Sequence, residues 1–159
     1  IGAMVPWEKT WPENVWLGTT VENQKFAEIR LPHLLKHKAK VRFLSCEPLL
    51  GMIDLGAWIK AKPRSGMHGI DWIIAGGESG PGARPMHPDW ARSLRDQAKK
   101  TGVTFHFKQW GHWVPAEIVT EDQRRTVIDI DGIQLAGVGK KDAGRELDGD
   151  TWDGFPLAS

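Results

Sequence analysis

Four short apolar segments, each leading into a helical or connecting stretch, predict an α/β fold. The expected architecture is four consecutive βα-type units forming a parallel sheet, half of a TIM-like barrel, followed by a β-hairpin and an irregular tail. Three observations carry this. The strand candidates begin at 15, 41, 70 and 103, so the repeats run about 26, 29 and 33 residues, the size of a βα unit. Ile73 to Ala75 are apolar without alternation, as in a parallel strand covered on both faces. Each candidate strand also stops at polar residues, and parallel sheets bind ligands at their carboxyl ends.

The totals fit such a unit. With 159 residues the chain buries a real core as a single domain. A formal net charge of +1 gives no global drive toward nucleic acid or membrane. No apolar run approaches the roughly 20 residues that span a bilayer. Cys46 stands alone, which excludes an internal disulfide and points to a reducing, cytoplasmic setting. Nine Trp and five Phe with no Tyr favour half-buried aromatic positions.

In chain order, residues 1–14 read as an extended lead-in without periodicity. Val15–Val21 is the first strand. Gln24–Lys38 carries Phe26, Ile29, Leu34 and Leu35 at helical spacing, and Pro32 is expected to end one helix near Arg30 and start a second. Val41–Ser45 is the second strand, Gly56–Lys62 a short helix and Pro63–Gly69 an exposed loop. Ile70–Ala75 is the third strand. Pro88 opens a helix whose buried face holds Trp90, Leu94 and Ala98, and Gly102 closes it. Val103–Phe107 is the fourth strand, so the half-barrel spans 15–111. In 112–159, Val114–Val119 and Thr126–Leu135 read as a hairpin turning at Asp131-Gly132, and the tail from Gly137 wraps the same domain.

The polar strand ends are the candidate site. Thr19, Thr20 and Glu22, Ser45 and Glu47, Glu78 and Ser79, and Lys108 and Gln109 share one face if the sheet is parallel. The ligand-binding candidates are Glu22, Glu47, Glu78, Ser79, Arg84, Lys108 and Gln109, and no catalytic residue is singled out. Gly76, Gly77, Gly80 and Gly82 let the backbone turn and come close to a neighbour, with Glu78 and Arg84 as the displayed charges. An ammonium or ribose at Glu78 with an anion at Arg84 satisfies both signs. The plainer alternative is that these charges pair to tie loops down. The loop matches neither the P-loop pattern nor the dinucleotide fingerprint. His68, His87, His106 and His112 lack metal-ligand spacing. His87 reads as a helix cap, His106 as a packed core residue, and Cys46 as a small buried filler. The basic clusters Lys36–Lys40 and Arg124-Arg125 read as solvated faces.

As a set, several motifs resemble the three-cysteine-motif protein family of phages and bacteria. They are Asn14–Gln24, Arg30–Leu35, Val41–Gly51, Gly76–Met86, Phe107–Gly111 and Gly139–Asp153. Longer members carry a cysteine-rich N-terminal half similar to the iron–sulfur ligands of radical S-adenosylmethionine enzymes. The resemblance therefore implies the C-terminal part of a radical-enzyme-like barrel of phage origin, inactive by itself. It implies no cofactor held by this chain, with the iron–sulfur cluster and S-adenosylmethionine belonging to full-length relatives. A half-barrel leaves open edges and an apolar inner face, which predicts a homo-oligomer or pairing with a missing half. The alternative function is a non-catalytic module that binds a small anionic ligand or a protein.

Overall fold

In the computed structural model, which describes residues 11–59 and 69–156, the first four strands are β1 (Leu17–Thr20), β2 (Arg42–Cys46), β3 (Trp72–Gly76) and β4 (Thr104–Gln109). They form one sheet in the order β1-β2-β3-β4, parallel throughout. Sequence neighbours are therefore sheet neighbours, as the βα spacing predicts.

Two helices connect the strands. Helix α1 (Gln24–Leu34) starts at Asn23, whose side chain accepts the Phe26 N–H. It runs through Pro32 without a break, which corrects the expected split. Pro32 is exposed and lies in the last turn, so its ring faces solvent and only one ladder bond is lost. The buried stripe is Ala27, Leu31 and Leu34, while Ile29 is exposed and Phe26 only half-buried. Helix α2 (Pro88–Thr101) matches its sequence signals. His87 is the N-cap and its Nδ1 accepts the Asp89 N–H, Pro88 opens the first turn, and Gly102 closes the helix in the left-handed region. Of its expected buried face, Leu94 and Ala98 are buried with Ala91, and Trp90 is half-buried. Residues Gly56–Trp58 make a single turn rather than a helix, and residues 60–62 of that expected helix, with most of the Pro63–Gly69 loop, lie outside the described residues.

After β4 the chain turns antiparallel. Strands β5 (Trp113–Pro115), β6 (Thr126–Ile130) and β7 (Ile133–Gly137) form a second sheet in the order β5-β7-β6. The hairpin is β6–β7, turned at Asp131-Gly132, where both residues have positive φ (53° and 84°). The segment Val114–Val119 contributes only the short β5, and residues 116–118 coil into a 3₁₀ turn. Helix α3 (Lys140–Ala143) and the strand pair β8 (Glu146–Leu147) and β9 (Asp150–Thr151) complete the tail.

The core lies on the helix side of the parallel sheet. Leu44, Cys46, Ile73, Ala75, Phe105 and Phe107 are buried in one cluster with the inward residues of α1 and α2. Among the described residues no helix is long and apolar enough to cross a membrane.

Candidate functional site

Paired residues of a parallel sheet share a face, so the register defines rows on the side away from the helices. The lowest row holds Gly18, Phe43, Trp72 and Thr104, and the next holds Thr20, Ser45, Ile74 and His106. A β-bulge follows: Ala75 pairs with Phe107 and Gly76 with Gln109, leaving Lys108 as the extra residue in β4. The upper rim is Glu47, Gly76 and Lys108.

The floor of this face is aromatic, and among the described residues no helix covers it. Trp72 stands at its centre, with ring centroids 5.8 Å from Phe43, 6.1 Å from Trp16, 6.2 Å from His106 and 5.0 Å from Phe155. Trp16, Phe43, Trp72, Ile74 and His106 are half-buried, and Phe155 is 62% exposed. His106 is thus not the core residue that its apolar neighbours suggested. It alternates to the opposite face from Phe105 and Phe107. Its pKa is lowered, first by partial burial and then by Arg145 and Lys108, against Glu47, which favours the neutral imidazole.

The three expected carboxylates do sit at the carboxyl ends of the strands, and each has a cation. Arg30 Nη1 lies 3.0 and 2.9 Å from the two oxygens of Glu22 and also donates to Thr20 O and Oγ1. Glu78 accepts from Arg84 Nε and Nη2 at 2.8 and 2.9 Å, and from the Arg84 backbone N–H at 2.8 Å. These bonds hold the Glu78 carboxyl at about 2, well below its ordinary value. Both pairs are short-range ties within one connection. Only Lys108 Nζ with Glu47, at 3.0 Å, joins two strands, reaching from β4 to β2 across β3. It crosses above Gly76, where a Cβ would stand 2.7 Å from Glu47 Oε1.

The glycine loop has a different role from the one its composition suggests. The neighbour that Gly77 approaches is its own chain: a Cβ there would lie 1.9 Å from the Trp110 carbonyl oxygen. Gly111 mirrors it against Glu78 O, and the His112 N–H donates to that oxygen at 2.8 Å. Trp113 Nε1 donates to Ala83 O. The loop is thus clasped by Glu78 and Arg84 and interlocked with the end of β4. Ser79 is exposed on it, and Gln109 is half-buried beside Gly76.

Cys46 is fully buried, and desolvation with the nearby charges of Glu22 and Glu47 pushes its thiol pKa upward. As the chain's single cysteine it does not fit an iron–sulfur cluster. Among the described residues no group of three or more His, Cys, Asp or Glu side chains is placed to hold a metal ion.

A family described as "Protein of unknown function (DUF5131)" matches residues 1–156. No curated protein and no solved structure matches the chain.

Proposed function

The chain belongs to this family of unknown function, and from the geometry we propose that it supplies the substrate-side or cofactor-side wall of a phage-type, radical-enzyme-like barrel. In this reading the sheet is one half of an open, partial (β/α) barrel, and the iron–sulfur half is a separate segment of longer relatives. The uncovered aromatic face is the observation that carries it. Parallel sheets are stable when both faces are covered, and among the described residues helices cover only one. Strands in chain order, helices on one side and charged groups at the carboxyl rim all suit the wall of a barrel.

The chain's own residues would orient a ligand and exclude water. The Trp72 cluster offers an apolar floor, Ser45 and His106 offer hydrogen-bonding groups one row above, and the Glu47–Lys108 pair closes the rim. The cluster chemistry would belong to the other half, since a single buried cysteine does not fit a cluster. The test is anaerobic iron–sulfur reconstitution of a longer family member. A bound cluster and cleavage of S-adenosylmethionine are expected, and the absence of both would sink the reading.

The exposure of Arg84 (60%) and Lys108 (53%) at the rim favours a second reading, a non-catalytic module for a small anion or a protein partner. A thermal-shift screen with phosphate and nucleotides should then raise Tm, and Arg84→Ala should remove the rise. A flat response in both proteins would exclude an anion at this rim.

A further inference from the structure

We infer that the parallel sheet is completed at the outer edge of β1 by a further parallel strand, and that the segment Trp152–Phe155 seals the opposite edge. The inference rests on the half-barrel reading above, from which it takes only the need to cover the aromatic face.

The sealed edge is β4. The Phe107 N–H donates to Trp152 O at 2.9 Å, and the Gly154 N–H donates to Phe105 O at 3.1 Å. Between them His106 and Asp153 form an antiparallel bridge. Trp72 Nε1 reaches under the sheet and donates to Gly154 O at 2.9 Å. Only glycine fits at 154, because a Cβ would stand 2.3 Å from Phe105 O. Phe155 then rests against Trp72 and Trp16, with centroids 5.0 and 5.1 Å away. A strap this short occupies the edge hydrogen bonds without offering a new strand to pair with.

The opposite edge differs. Leu17 and Val21 donate their N–H groups to Val41 and Ser45 of the β2 side. By alternation, the N–H groups of Gly18 and Thr20 point away from β2. Among the described residues no strand pairs on that side. The aromatic face runs up to this edge through Trp16 and Phe43.

The occupant follows from what must be covered. A two-fold pairing with β1 of a second copy would run antiparallel. That would lengthen the sheet and leave Trp16, Phe43 and Trp72 uncovered in both copies. A parallel strand with its crossover helix continues the twist, and further units of that kind curl around the face. The partner is therefore a βα segment, not a second copy.

Backbone hydrogen exchange tests both halves. In this chain the Gly18 and Thr20 amides should exchange freely, and in a longer family member the matching amides should be protected ~100-fold or more. Free exchange in the longer member overturns the inference. Concentration-dependent protection in this chain overturns it too, since that marks a second copy. Gly154→Val should deprotect the Phe107 amide and shift the Trp72 indole N–H while far-UV dichroism stays native, and light scattering should then show association absent from the parent chain. Phe155→Ser, which keeps the glycine contact, should leave Phe107 protected. If Phe107 stays protected in Gly154→Val, or is released without new association, the sealing role is wrong. These readouts are independent of cluster assembly, so the radical-type reading can fail while the edge assignment stands.

Discussion

Gly77 has no room for a side chain, because the atoms in the way are backbone rather than a movable side-chain tip. A Cβ would meet Trp110 O at 1.9 Å and Trp110 C at 2.8 Å. Gly77→Ala is therefore expected to lose about 3 kcal/mol or more in urea denaturation, since the strand ends must separate. Gly80, at φ 99° with nothing within 4 Å of its would-be Cβ, should lose only about 1–2 kcal/mol as alanine, from conformation alone. Similar losses at both positions would show that the interlock is soft. Glu78 makes the pH prediction. Its folded pKa of about 2 lies below the ordinary 4.5, so its contribution to stability is present above 4.5 and is lost as pH falls toward 2. The pair is solvent-exposed, so salt should shrink the effect. Glu78→Gln should flatten the acid limb of Tm against pH between those values, and an unchanged limb would show that the clasp adds nothing.

At the scale of elements, the two helices show where periodicity suffices and where it does not. In α2 the cap, the first proline, the closing glycine and most of the buried stripe are local signals, and all were legible in the sequence. In α1 the apolar residues do not select the buried face: Ile29 is exposed and Ala27 is buried, because alanine permits close approach to the sheet. Leu94→Ala should therefore lose about 2–5 kcal/mol, whereas Ile29→Ala should stay within about 0.5 kcal/mol. Chemical denaturation compares them directly, and equal losses would put the core in the wrong place. The β6–β7 turn was legible because Asp-Gly supports two consecutive positive φ values. The sequence grouped Val114–Val119 with that hairpin, but not the strand it meets: β5 docks on β7 after a long excursion, and no local signal encodes that choice.

For the whole molecule, the parallel sheet and the antiparallel tail share contacts that should make them unfold together. His112 N–H to Glu78 O, Trp113 Nε1 to Ala83 O and the strap on β4 all cross between the two. Far-UV dichroism and tryptophan fluorescence should follow one coincident transition in denaturant. Separated midpoints would make the tail an independent unit.

The candidate site divides in the same way. The sequence by itself determined the four strands, their parallel order, the helix α2 with both caps, and the clustering of Glu22, Glu47 and Glu78 at one end, because these follow from spacing, local propensity and the geometry of βα units. The tertiary structure alone decided which cation each carboxylate meets. It also placed His106 and Trp72 on an open face, made Gly77 a backbone contact rather than a ligand cradle, and laid Trp152–Phe155 along β4. Those outcomes depend on packing between residues as far apart as 72 and 154, and contacts at such separation leave no periodic trace in the chain.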